Sequence, residues 1–381
     1  MSTSSQGPPK WRPLDVLWIN HRDPKHPRAG GAEVHLIEVG KRLVARGHAV
    51  TLLCERWPGS AREEVIEGVR VRRYGGPLTL HALSPIFAAA SRADVVVDDV
   101  AHAVPFFSNL FARRPVVAIV HHVHQGVLDR ELPFPISWAA KKAERGVRLY
   151  RSIVTVSEAS KADLVRKLGV SPERVTVISE GVDLSKYSPG KKADAPTFLW
   201  LGRIKRYKNA DHAIRAVSAV RGARLTVAGA GDPDEVSRLR ALAKELGAED
   251  RVDFKGWVSE EEKASLYAES WALLMTSSVE GFGLVVVEAA ASGTPTVAYD
   301  QGPMREVVED GRTGFLVPFG DASALSERVA ALSSDRSLAE RMGMEARRFS
   351  KRFDWDATAA EFERVLLTVA GGRGDPARTV P

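Results

Sequence analysis

The feature that most constrains this chain is an alternation, run through twice, of short apolar runs with segments of helical periodicity. Asp15–Asn20 reads as a buried strand, Glu33–Arg46 as a helix that stops at Gly47, and His48–Cys54 as a second strand. Further strand-like runs follow at Asp94–Asp98, Val116–Val120 and Ser152–Val156. Ser157 is placed to cap a helix that runs to Gly169, and Val175–Ser179 closes the set. After Ser188–Pro196, a polar stretch with Pro189, Gly190, Lys191, Lys192 and Pro196, the alternation restarts. Its strands are Thr197–Leu201, Arg224–Ala228, Arg251–Phe254, Ala272–Thr276, Pro295–Ala298 and Gly314–Val317. Apolar strands joined by helices build parallel sheets covered on both faces. The expected fold class is α/β, with two Rossmann-like doubly wound domains facing each other across a cleft and ligands at the carboxyl ends of both sheets.

At 381 residues the chain is too long for one ordinary core, and a hydrophobic fraction of 44% is enough for two. The expected division is a flexible start at 1–13, a first domain at 14–187, a linker at 188–196, a second domain at 197–352, a helix at 353–370 and a disordered tail at 371–381. Phe362, Val365, Leu366 and Val369 share one face of that last helix. A single cysteine, Cys54, excludes an intrachain disulfide framework and fits a reducing compartment. No apolar run is long enough to cross a bilayer, and Met1–Lys10 lacks the apolar core of a signal peptide, so the expected location is cytoplasmic. Residues 1–186 carry 27 Lys+Arg against 19 Asp+Glu, and the remainder 27 against 29, so the halves differ as +8 and −2. The basic half is either a solvated arginine-rich surface or the face for an acidic partner, such as a phosphate-bearing acceptor or the inner surface of an anionic membrane. With no arginine-rich tract and no aromatic-studded RNA-binding signature, nucleic acid is not an expected partner.

The strand ends carry the chemistry. Trp271–Thr276 breaks into Ser277-Ser278-Val279-Glu280-Gly281-Phe282-Gly283-Leu284 and then into an apolar helix that bears Glu288. The glycines let backbone approach a ligand, and the helix start aims unpaired N–H groups at it, which suits an anion. Glu280 and Glu288 add acceptors for hydroxyls, and a sugar nucleotide needs both. Gly30 and Gly31, ahead of a helix, offer bare backbone in the same way, or are a plain turn. His121-His122-Val123-His124 follows a strand, but neighbouring side chains there splay to opposite faces without accompanying carboxylates, so one histidine lining the cleft is favoured over a metal site. Arg203 stands where a strand ends, and Lys208 returns from the same loop. Together they can clamp a diphosphate, whereas Lys205 and Arg206 read as solvated. Ala228-Gly229-Ala230-Gly231 imitates a dinucleotide fingerprint, yet Pro233 follows where a third glycine would open a helix. Asp98-Asp99 reads as a strand terminus rather than a metal pair.

Taken together, Gly202-Arg203 with Lys208, the Glu280 to Glu288 pair, Gly293-Thr294-Pro295 and Glu306-Val307-Val308-Glu309-Asp310-Gly311 resemble the family 4 retaining glycosyltransferases of the GT-B fold. Gly30-Gly31-Ala32-Glu33 and Val156-Ser157 are similar to that family's N-terminal landmarks, and the match spans nearly the whole chain. The resemblance implies a cleft between an acceptor-side first domain and a nucleotide-sugar-binding second domain, with the last helix crossing back to the first. It implies donor diphosphate contacts from Arg203 and Lys208, phosphate or sugar contacts from Gly30, Gly31 and the amides around Phe282, Gly283 and Leu284, and ribose contacts from Glu288. Glu280 would touch the transferred sugar, and His121 the sugar or its developing oxocarbenium. The base would lie by main chain near Trp257 and Val258. No cofactor and no metal are expected: the co-substrate is a UDP- or GDP-linked sugar, and cations and helix dipoles stand in for a metal.

Several residues depart from that pattern. Glu180 stands where the family often has asparagine, and Tyr207-Lys208-Asn209 replaces the commoner lysine-glycine pair. Counting from Pro115-Val116-Val117-Ala118 leaves His121 and His122 as the two rings that can face the cleft. Leu132–Trp138, followed by Lys141, Lys142, Arg145, Arg148 and Arg151, is either a basic amphipathic surface for anionic lipid or a surface helix with Trp138 packed inward; its short apolar face favours the second. The acceptor is a glycan, a lipid-linked compound or a small metabolite. Two other functions fit the same cleft: an epimerase that converts the donor with no acceptor, and a sugar-nucleotide sensor that never turns over.

Overall fold

The computed structural model describes residues 12–100 and 102–371. The first sheet comprises β1 (Asp15–Ile19), β2 (Ala49–Cys54), β3 (Glu63–Ile66), β4 (Val69–Arg73), β5 (Val95–Asp99), β6 (Val116–Val120), β7 (Ser152–Thr155) and β8 (Val175–Val177), in the order β3-β4-β2-β1-β5-β6-β7-β8. Every neighbouring pair is parallel except β3 with β4. The second comprises β9 (Thr197–Leu201), β10 (Arg224–Ala228), β11 (Val252–Gly256), β12 (Ala272–Met275), β13 (Thr296–Tyr299) and β14 (Gly314–Val317), in the order β11-β10-β9-β12-β13-β14, parallel throughout. In each sheet the winding reverses beside its first strand, at β1/β5 and at β9/β12. Crevices open at the carboxyl ends of strands at such points.

The sequence reading did not anticipate the β3–β4 hairpin or the helix Pro77–Ala90. In β4, Val69 and Val71 face the core while Arg70 and Arg72 face Glu63 across the hairpin, so arginines mask the alternation. The helix carries Pro85 inside it, which breaks the expected pattern.

The final helix, Trp355–Gly371, completes the first domain's core. Its Phe362 ring stacks on Trp18 at 5.2 Å, and Trp355, Ala359 and Leu366 are buried with Leu36, Val39 and Leu43 of the helix Gly31–Ala45. Arg42 pairs with Asp356 at 2.7 Å, and Arg46 and His48 meet Glu363 at 2.8 Å. Most of the flexible ends expected at 1–13 and 371–381 lies outside the described residues, while Gly371 ends the helix. The linker region is anchored rather than loose: Lys192 is buried and donates to Thr294 Oγ1 at 2.5 Å, and Trp271 Nε1 donates to the Ala193 carbonyl at 2.8 Å. Burial lowers the Lys192 ammonium to about 7.

Candidate active site

The loops that leave β9 and β12 lie side by side because those strands pair. Ser278 N donates to the Tyr207 carbonyl at 2.8 Å, Asn209 Nδ2 to the Thr276 carbonyl at 2.9 Å, and Thr276 Oγ1 to the Lys208 carbonyl at 3.0 Å. This stitching brings Lys208 Nζ to 2.6 Å from Glu280 Oε2. Burial acts to lower the Lys208 ammonium, but the Glu280 carboxylate outweighs it, and the net shift is upward. The two groups expected to serve diphosphate and sugar are therefore ion-paired with each other.

Gly283 takes φ +99° just ahead of the helix Leu284–Ala291, and a Cβ there would stand 2.9 Å from Met304 Cε. Glycine is required at that turn. Phe282 turns its ring into the core, edge-on to Phe353 at 5.5 Å. A Cβ on Gly281 would fall 2.4 Å from the His121 carbonyl, so the turn presses directly on the loop that leaves β6. Ser157 Oγ donates to the Gly281 carbonyl at 2.6 Å, and Glu306 from the second domain accepts the Glu158 and Ala159 N–H groups at 3.0 Å each.

The glycines after β1 face the same cleft. Leu284 Cδ1 lies 3.5 Å from where a Gly31 Cβ would stand, and Arg203 Nε lies 4.0 Å from the corresponding point on Gly30. Gly30 N–H is engaged by Glu33 Oε2 at 2.7 Å. Arg203 is exposed and has no carboxylate partner among the described residues. The glycine pair after β10 shapes the neighbouring strand end: a Cβ on Gly229 would meet the Gly202 carbonyl at 2.0 Å, and one on Gly231 would meet Ile204 Cβ at 2.5 Å. Close backbone approach explains this false fingerprint.

The structure separates the two candidate histidines. His122 lines a cavity of about 290 Å³ between the domains, together with Ser160, Ser278, Glu280 and Gln301. Burial, with His124 and Lys208 nearby, holds its imidazole neutral. The His121 ring, only 8% exposed, turns away into the first domain, with Nε2 at 3.0 Å from Asp99 Oδ1 and Nδ1 at 3.7 Å from Glu180 Oε1. Burial works against its charge, but Asp99 and Glu180 prevail and raise it to about 10. Glu180, the departure noted above, is thus half of a carboxylate pair around an imidazolium.

Glu288 is buried in a polar cluster that the sequence did not announce. Its Oε1 accepts from Tyr187 Oη and Lys263 Nζ, each at 3.1 Å, and its Oε2 from Tyr267 Oη at 2.8 Å. Trp257 is exposed at the end of β11, with Val258 partly buried beside it. Trp138 corrects the inward packing favoured above: it is 56% exposed, alongside Phe134 and Ile136. The helix Ile136–Glu144 buries Ser137, Ala140 and Glu144 instead and leaves Ile136 and Trp138 exposed.

Comparison with known proteins bears on what this cleft does. Residues 29–186 match the family described as Glycosyltransferase Family 4, and residues 183–349 match Glycosyl transferases group 1. A D-inositol 3-phosphate glycosyltransferase of Xylanimonas cellulosilytica is 30% identical over 92% of this chain and 94% of its own length. A protein of that description from Kribbella flavida is 30% identical over 87% of this chain and 89% of its own. Among solved structures, sucrose-phosphate synthase of Thermosynechococcus elongatus superposes with a TM-score of 0.81 at 22% identity, covering 94% of this chain and 99% of that one. Anabaena HepE in complex with UDP-glucose does so with 0.75 at 22% identity, covering 93% and 100%.

Proposed function

The chain belongs to the family 4 retaining glycosyltransferases of GT-B fold, and from that premise we propose how its cleft works. It moves a sugar from a nucleoside-diphosphate sugar to an acceptor hydroxyl. The observation that carries the site assignment is the meeting of Gly30–Gly31, Arg203, Leu284 and the Lys208–Glu280 pair at the carboxyl ends of two parallel sheets. Arg203 and Lys208 hold the donor diphosphate and the charge that grows on it as the glycosidic bond breaks. Amides at the start of the helix Leu284–Ala291 add donors toward those oxygens. Glu288 takes the ribose hydroxyls through lone pairs left by its tyrosine and lysine partners, and the base lies by Trp257 and Val258. Glu280 touches the transferred sugar. His122 presents a neutral ring to that sugar, and His121, held between Asp99 and Glu180, fixes the loop that carries it.

Uridine is the proposed base, supported by the structural neighbours with UDP and UDP-glucose bound. The supply of cations and amides at the diphosphate supports transfer without a divalent metal. Exposed Phe134, Ile136 and Trp138 beside Lys141 and Lys142 support a peripheral contact with anionic lipid. The test is thermal shift with UDP-glucose, followed by product analysis with acceptor present and with EDTA. UDP-glucose is expected to raise Tm, transfer to depend on acceptor and EDTA to have no effect. Arg203→Ala is expected to cut turnover on the order of a hundredfold. Donor conversion without acceptor would point to the epimerase instead.

A further inference from the structure

Of the three histidines that follow β6, His121 turns into the first domain and His122 faces the cleft. His124 does neither: it meets Glu144, the last residue of the helix Ile136–Glu144, which is only 1% exposed. A carboxylate withdrawn from water needs donors around it, and those that reach Glu144 come from one loop. Glu144 Oε1 accepts the His124 backbone N–H at 2.5 Å and the His124 ring Nδ1 at 3.1 Å, and its Oε2 accepts Gln125 Nε2 at 2.8 Å. A carboxylate oxygen only accepts, so Nδ1 carries the ring proton. Gln125 Nε2 also donates to the Lys141 carbonyl at 2.9 Å, one turn back along the same helix. The His124 carbonyl in turn accepts from the amides of Val127 at 2.9 Å and Leu128 at 3.1 Å. Backbone and ring of His124 are thus both fixed.

His122 is held in another way. Among the described residues no group bonds to either of its ring nitrogens, which leaves both for a ligand. Its ring instead lies against that of His124, with centroids 4.1 Å apart and planes 37° from parallel. On its other side the Gly281 turn stands close, since a Cβ on Gly281 would come within 3.6 Å of His122 Cβ. A hydrogen bond weakens steeply once its donor and acceptor lose alignment, so the angle of the His122 ring decides what it can hold. That angle is set by a neighbouring ring, and the neighbouring ring is set by a buried carboxylate.

We propose that Glu144 and His124 are positioning residues for the donor sugar: Glu144 locks His124, and the locked ring holds His122 at the angle at which it meets that sugar. The proposal rests on the reading that His122 faces the transferred sugar. Neither Glu144 nor His124 touches substrate, so their effect passes through His122 alone. Loss of either one weakens the hold on the sugar and leaves the hold on the nucleotide, made by the second domain, as it was.

The test titrates the full chain with UDP and with UDP-glucose by calorimetry, so that the difference between the two reports the sugar contact and UDP itself reports that each variant is folded. His122→Ala, His124→Ala and Glu144→Gln, the last of which keeps the side-chain volume, are each expected to weaken UDP-glucose by about two- to tenfold, the worth of one hydrogen bond. UDP affinity is expected to stay within about twofold of the parent. In the double variant Glu144→Gln with His122→Ala, UDP-glucose is expected to bind no more weakly than in His122→Ala alone, because both changes remove one contact. A purely structural role for Glu144 would weaken UDP and UDP-glucose alike, or multiply with the His122 loss, and either result would overturn the proposal. So would UDP-glucose affinity unchanged in both His124→Ala and Glu144→Gln beside a weakened His122→Ala. A His122→Ala protein that binds UDP-glucose as the parent does would instead overturn the reading of His122 itself, and the proposal with it.

Discussion

Lys208 is held by a partner it must share. Its ammonium neutralises Glu280 at 2.6 Å, and a diphosphate competes for the same protons. Glu280→Gln removes that competitor, so UDP without its sugar is expected to bind several-fold tighter while turnover collapses; calorimetry showing equal or weaker binding would contradict the pairing's role. His121 obeys a different balance. Its folded pKa, raised to about 10, exceeds the ordinary value of 6.5, so the folded state holds a proton that the unfolded chain releases first. That contribution to stability is complete below pH 6.5 and declines as pH climbs toward 10. Glu180→Gln is expected to lower the His121 pKa, read by NMR titration of its ring, and to weaken this decline. Arg203, Lys208 and Glu280 were legible in the sequence because each sits within a few residues of a strand end. Tyr187 and Tyr267 were not: Tyr187 reaches Glu288 across 101 positions of chain, and nothing local marks it.

Between elements, the domains meet through hydrogen bonds as well as apolar contact, Val156 and Val182 clustering with Phe282 and Val286, and Leu284 packing on the first domain's core. The helix Glu158–Leu168 begins at Ser157, whose hydroxyl spans to Gly281, and the first two amides of the helix are capped by Glu306 of the opposite domain. A carboxylate at a helix start stabilises it by about 0.3–1 kcal/mol. Glu306→Ala is expected to shift the molecule toward a more open form, seen as a larger radius of gyration in small-angle scattering, with a raised donor KM; an unchanged radius and KM would show the contact to be incidental. The strands bearing the site were readable because each is an unbroken apolar run. The β3–β4 edge was hidden by Arg70 and Arg72, whose partner Glu63 lies on a strand just as polar. Edge strands answer to solvent as much as to the core, and their sequences show it.

Across the whole molecule, the first domain's core closes only with the helix Trp355–Gly371, as the Trp18–Phe362 stack shows. Phe362→Ala is expected to cost about 3–5 kcal/mol, followed by denaturation monitored through tryptophan fluorescence, while the second domain still binds UDP; loss of both functions together would mean that the domains unfold as one unit. Facing apolar positions of this helix were visible in the sequence, but what they cover depends on a return path of the chain that no local pattern encodes. That return path also sets an order in time. On the ribosome, the first domain's sheet is complete once residue 177 has emerged, yet its covering helix is translated only after the entire second domain. For that interval the nascent chain holds an uncapped apolar face, which makes the half-made protein, more than the finished one, a client for chaperones.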